Sequence, residues 1–164
     1  MKDLQVLDGV AVAISRGAFI SMWQRSATLN RVRWHGALLE QHVSKHRGKA
    51  VGLMIVEPSA APPQGEARVE SNAIVRRVGP NIQLVVTVAL GDTLQMQIVR
   101  TVMRGMFLLS GNMKRHLVVS TEDEAIDRLL AMTEPAVPSR LELEAMVRSL
   151  HQALGTEPVL EQVS

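Results

Sequence analysis

Two uninterrupted apolar runs constrain this chain more than anything else in it: Ala50–Val56 (AVGLMIV) and Ile82–Leu90 (IQLVVTVAL). Each has the length of a strand and neither alternates with polar residues, which is the pattern of a strand covered on both faces. Such strands sit at the centre of a mostly parallel sheet, with helices supplying the crossovers. Helical periods occur where crossovers are needed. Leu29, Val32, Leu39 and Val43 share one face of a segment capped by Ser26 or Thr28 and running to about His46, where Arg47-Gly48-Lys49 stops it. After a proline-rich loop, 57–65 (EPSAAPPQG), residues 66–78 place Val69, Ala73 and Val75–Val78 at helical intervals until Gly79-Pro80. A third helix is expected over 93–109, with Ile98, Val99, Val102, Met106 and Leu109 as its stripe.

The ends of the chain complete the pattern. Val10–Ile14 and Ala18–Trp23, joined by Ser15-Arg16-Gly17, read as a β-hairpin. A short strand over 115–119 precedes Thr121-Glu122-Asp123-Glu124, whose spacing is that of a capping box, and then a helix carrying Ile126, Leu129 and Leu130. The expected order is ββαβαβαβα within one α/β domain over residues 1–133. A linker at 134–138 follows, then an amphipathic helix over 139–154 opened by a second capping box at Ser139-Arg140-Leu141-Glu142, and a tail over 155–164.

Composition excludes several classes of function. The 164 residues contain no cysteine, so a disulfide framework, a thiolate metal site and a thiol nucleophile are ruled out. Aromatic residues are confined to Phe19, Trp23, Trp34 and Phe107, too few to stack the bases of a single strand. No Gly-rich turn leads into Lys-Ser or Lys-Thr, and no G-x-S-x-G occurs, so nucleotide binding and serine hydrolysis have no motif. Paired acids fall at helix N-termini, where the helix dipole alone accounts for them. No catalytic residues and no cofactor are expected. The N-terminus lacks a basic segment followed by a long apolar run, and Asp8 and Arg16 interrupt the apolar stretch near it, so the expectation is a cytoplasmic chain with no membrane insertion.

Charge is distributed unevenly. Residues 1–115 carry 15 Lys and Arg against 7 Asp and Glu, whereas residues 116–164 carry 3 against 9. A basic body and an acidic end either neutralise one another or meet charged partners, and a nucleic-acid- or small-ligand-binding regulator using the basic body is the alternative reading. The cations are dispersed over several helices instead of lining one groove-reading element, so this alternative is not favoured. His35, His42 and His46 share a helical stripe and form the only arrangement resembling a metal site; the competing expectation is that they edge a core beside Leu39 and Val43, with no metal.

Two apolar surfaces exceed what a core needs. Met96, Met103 and Phe107 widen the stripe of the third helix; Met-rich extensions suit adaptable contacts, and Met equally fills irregular cores, so both readings stand. In the terminal helix Leu143, Met146 and Leu150, with Leu154 beside them, suit a groove or a partner helix, in this chain or in another copy, and packing back on the chain's own sheet is an equal expectation.

From residue 4 to about 133 the order of elements, with its initial hairpin, buried central strands and alternating helices, resembles the STAS domain of anti-sigma-factor antagonists. That resemblance implies a non-catalytic protein-binding module. The family's switch serine lies in an Asp-Ser-Ser-Gly sequence at the start of the helix after the third strand, and the corresponding positions here are Pro62, Pro63, Gln64 and Gly65. Only the glycine matches, and neither proline nor glutamine accepts phosphate, so the usual switch is expected to be absent; Ser59 is the loop's one hydroxyl. The sequence therefore leads to an α/β, STAS-like regulatory or scaffolding module that binds a protein partner or self-associates.

Overall fold

The structure, a computed structural model, describes residues 3–109, 116–132 and 137–156, without the side chains of Met106, Phe107 and Leu109. A six-stranded sheet runs in sequence order. Strands β1 (Asp3–Leu7), β2 (Val10–Ser15) and β3 (Ala18–Trp23) form an antiparallel meander. Strands β4 (Ala50–Val56), β5 (Ile82–Ala89) and β6 (His116–Val119) continue it in parallel from β3. The crossovers are α1 (Leu29–Lys45), α2 (Gly65–Val78) with one 3₁₀ turn at Gly79–Asn81, and α3 (Leu94–Leu109). After β6 come α4 (Glu122–Leu130) and α5 (Arg140–Leu154).

This is the α/β order of elements expected from the sequence, with one strand more. The meander begins at β1, and Asp8-Gly9 forms its two-residue turn with both φ angles positive, 37° and 80°. An Asp-Gly pair between strands is the preferred chemistry for that turn, because glycine and aspartate tolerate the left-handed conformation that matches strand twist.

Strand alternation divides the core in two. Ile20, Met22, Leu53, Ile55, Val86 and Val88 face α4 and α5, whereas Trp23, Ala50, Val56 and Ala89 face α1, α2 and α3. The crossover helices thus share one side of the sheet, and α4 and α5 close the other. Local capping follows the sequence: Thr28, Thr121 and Ser139 each accept a hydrogen bond from the backbone N–H three residues on.

The terminal helix is continuous with this core. Leu143, Met146, Val147 and Leu150 are fully buried over β2 and β3, and Ser15 Oγ donates to Glu142. Residue 133 at the end of the expected domain, residues 134–136 of the expected linker and 157–164 of the expected tail lie outside the described residues, while Val137 packs against the core.

On the other side α1 and α2 meet at Gly36, where an added Cβ would stand 2.3 Å from Ile74 Cδ1. Gly36→Ala should therefore lower stability by about 1–3 kcal/mol, the usual cost of overpacking, as read by urea unfolding. An unchanged midpoint would show that the two helices separate freely.

Candidate functional site

Helix α3 presents two apolar stripes, and the sheet takes one of them. Thr93 Oγ1 accepts from Met96 N at 3.3 Å at its start, and Arg100 reaches back to the carbonyls of Ala89 and Gly91. These contacts fix the rotation of the helix so that Met96, Val99 and Met103 are buried. The expected contact role of Met96 and Met103 is corrected accordingly: both thioethers fill the core beneath α3, as Met does where a gap is irregular. Phe107 lies on the same helix, with its side chain outside the described set.

The outer stripe consists of other residues. Leu94, Ile98 and Leu108 are 74%, 55% and 62% exposed, and Thr101 and Gly105 lie between them. The spacing 94, 98, 101, 105, 108 is four-three-four-three, the repeat that keeps a seam in register between paired helices. Ile98, assigned by periodicity to the inner stripe, belongs to this outer one. The seam was legible as spacing, but not as the exposed side.

The contact role expected for Leu143, Met146 and Leu150 is also corrected, because those side chains already pack on the sheet of their own chain. Leu154 is half-buried against the same core, and its carbonyl accepts from Gln24 Nε2 at 3.1 Å. Here the structure supplies a cluster that sequence reasoning missed. His151 Nε2 lies 2.6 Å from Glu122 Oε1, and His151 Nδ1 lies 2.7 Å from Thr156 Oγ1. Glu57, just beyond β4, stands 4.0 Å from the same imidazole, and burial raises its carboxyl pKa above the ordinary value. A hydroxyl, an imidazole and a carboxylate in line resemble a proton relay. Yet Glu122 and His151 are both sealed from solvent, so a substrate has no approach to the imidazole. The cluster works as a clasp between the start of α4 and the end of α5.

The loop before α2 carries no phosphate acceptor at the helix N-terminus. Gln64 occupies the cap in an extended conformation without a side-chain capping bond, and Gly65 follows at φ 53°. Pro63 is buried and Pro62 half-buried. Ser59 is exposed, with its hydroxyl donating to Gln24 O at 2.6 Å, and Ala61 O accepts from Ala27 N at 3.2 Å. Both bonds hold the loop against the end of β3 and the start of α1.

The three histidines of α1 do not converge on an ion. His35 Nε2 is 3.0 Å from Ser21 Oγ, and burial lowers its pKa to about 4. His42 Nε2 is 3.0 Å from Gly17 O, where it can only donate, so that nitrogen offers no lone pair to a metal. His46 stacks obliquely on His42 with ring centres 4.7 Å apart. Among the described residues no group of three ionisable or imidazole side chains could hold a metal.

Much of the basic body is engaged within the chain. Asp8 lies 2.7 Å from Arg25 and 2.6 Å from Arg31, which hold its carboxyl below the ordinary pKa. Arg77 bridges Glu40 at 2.7 Å and Glu70 at 3.4 Å. Lys114 and Arg115 lie outside the described residues. Among the described residues no helix is long and apolar enough to cross a membrane.

No protein-family model matches this chain, and no curated protein matches it. The solved structures similar to it include the following three. The anti-sigma factor antagonist SpoIIAA in its unphosphorylated form is 14% identical, covering 82% of this chain and 100% of its own, with a TM-score of 0.44. The phosphorylated form of the Bacillus cell fate determinant SpoIIAA is 18% identical over 78% of this chain and 98% of its own, with a TM-score of 0.36. The Pseudomonas malonate decarboxylase MdcD–MdcE heterodimer is 16% identical over 91% of this chain and 88% of the matched chain, with a TM-score of 0.45.

Proposed function

We propose that this chain is a non-catalytic protein-interaction module of the regulatory or scaffolding kind, that it self-associates through the outer face of α3, and that it works without a phosphorylated serine at the start of α2. The observation that carries this reading is the seam whose apolar side chains Leu94, Ile98 and Leu108 are exposed, with Thr101 and Gly105 between them. Such a run of exposed apolar side chains on one helix is costly unless something covers it.

The pattern of the seam favours a second copy as the cover. Thr101 lies at its midpoint, so an antiparallel α3–α3 pair sets Leu94 of one chain against Leu108 of the other. Ile98 then meets Gly105, whose missing side chain lets the helices approach. A self-complementary patch of this kind forms a closed dimer.

Leu94→Asp combined with Ile98→Asp tests it. Each exposed position should contribute about 1.5–3 kcal/mol when buried, so the pair should weaken association about 100-fold or more. Sedimentation equilibrium should show a wild-type dimer and a variant monomer with the same circular dichroism spectrum. A wild type that stays monomeric at the highest soluble concentration, or a variant that still dimerises, rejects the reading. The alternative, a nucleic-acid-binding regulator using the basic body, is less favoured because Arg25, Arg31 and Arg77 already pair with carboxylates of this chain. It predicts tight binding that falls steeply with salt, which filter binding would detect.

A further inference from the structure

On the crossover side of the sheet, packing is incomplete. A cavity of about 130 Å³ lies between β3, β4 and β5 and the helices α1, α2 and α3, with the loop residues Ala60–Pro63 forming part of its wall. Trp23, Leu39, Met54, Ile74, Val85 and Val99 are among the residues that line it. Native interiors rarely leave so large a void, and an apolar void of about 150 Å³ is known to stay dry and to admit benzene.

Gly52 is the sequence feature that keeps this space open. It sits in the middle of β4, on the cavity side, between positions occupied by larger side chains. A Cβ added there would meet Val85 at 3.4 and 3.7 Å and Ile82 at 3.6 Å, ordinary contact distances, and the backbone is not in the left-handed region. Neither sterics nor conformation demands glycine at this point. A glycine inside a strand weakens it and often marks a place where something else approaches the backbone closely.

The polar groups on the wall are few and neutral. Ser21 and His35 satisfy one another at 3.0 Å, and burial keeps the imidazole uncharged at neutral pH. Among the described residues, no Asp, Glu, Lys or Arg lines the cavity. Trp23 lines the cavity as well, and its indole N–H is buried with no hydrogen-bond partner among the described residues. Indole nitrogen can only donate, so what it lacks is an acceptor.

We propose that this cavity is a binding site for a small, uncharged, mainly apolar molecule of about the size of a substituted benzene, carrying one carbonyl or ether oxygen that accepts from Trp23 Nε1. Charged ligands are excluded because nothing on the wall would compensate their desolvation. The proposal does not depend on self-association through α3.

Acetophenone serves as the probe, with benzene lacking the acceptor and benzoate carrying a charge. Calorimetric titration of the full chain should show saturable binding of acetophenone, weaker binding of benzene and none of benzoate. In the ¹H–¹⁵N spectrum the Trp23 indole resonance should shift on acetophenone binding and the Trp34 resonance should not. Gly52→Val adds a side chain to the cavity and should reduce acetophenone affinity at least tenfold, with Gly52→Ala in between and both variants unfolding no lower than wild type. Absence of saturable binding, an unmoved Trp23 resonance, or undiminished binding in a folded Gly52→Val would overturn the proposal. Binding of benzoate as tight as that of acetophenone would do so as well.

Discussion

Urea unfolding at pH 4.5 should give a stability several kcal/mol below that at pH 7.5. His35 and His116 are both enclosed by apolar surroundings, and burial lowers each pKa to about 4, from an unfolded value near 6.5. His35 borders the cavity, and the Phe19 and Trp23 rings stand 5.3 and 5.1 Å from it. Between pH 6.5 and 4 the unfolded chain binds more protons than the folded one, so stability falls as pH drops through that window. Below about 4 both states are protonated and the loss levels off.

Each imidazole should contribute on the order of 2 kcal/mol of loss at pH 4.5. His42, also lowered by desolvation, acts in the same sense. Glu57 opposes it: its raised pKa means that the folded chain takes up a proton first, and so gains relative stability, as pH falls. Asp8 enters only at lower pH, because its pKa is depressed by Arg31 and its contribution is lost as pH falls below the unfolded value. His35→Gln keeps a hydrogen-bonding group for Ser21 but does not titrate, so its stability should depend on pH about half as steeply. A flat profile between pH 7.5 and 4.5 in the wild type would show that the two imidazoles are hydrated.

Legibility in the sequence followed how many faces of an element are covered. Strands β4 and β5 are buried on both sides, so their composition alone announces them. Strand β1 lies at the sheet edge, with Leu4 and Val6 exposed, so no buried face marks it. Only Asp8-Gly9 signals it. Helix α3 has apolar residues on nearly every side, so periodicity alone could not say which stripe meets the sheet. The connection from β5 and the Arg100 contacts decide that. In α2 the exposed Val69 suited the period as well as Ala67, Ile74 and Val78, which are the residues actually buried.

The site was less legible than the fold because its parts are remote in sequence or consist of missing atoms. Spacing in α5 established an apolar face, but docking on its own sheet depends on Ser15 and on Glu122, 127 and 29 residues from their partners Glu142 and His151. The cavity is an absence, and Gly52 is its one trace in the sequence.

His151→Leu should cost roughly 3–5 kcal/mol in urea unfolding, although the new side chain is apolar and of similar size. The cause is the group left behind. Glu122 is fully buried at the first position of α4, and its Oε2 already has no hydrogen-bond partner among the described residues. Its other oxygen depends on His151 Nε2 at 2.6 Å, so removing the imidazole leaves a carboxylate enclosed and unpaired. Glu122→Gln retains a polar group for the imidazole and should cost about 1–2 kcal/mol, the scale of one impaired hydrogen bond. Replacing both partners, Glu122→Met with His151→Leu, should recover most of the stability, because the desolvation penalty vanishes together with the pair. The apolar face of Leu143, Met146 and Leu150 would still hold the first turns of α5 on β2 and β3, so His151→Leu should expose chiefly the end of the helix. Amide exchange should accordingly quicken near Leu154 and Gly155 while that at Met146 changes only with global stability. A His151→Leu protein within 1 kcal/mol of wild type would mean that the clasp contributes no more than the packing around it.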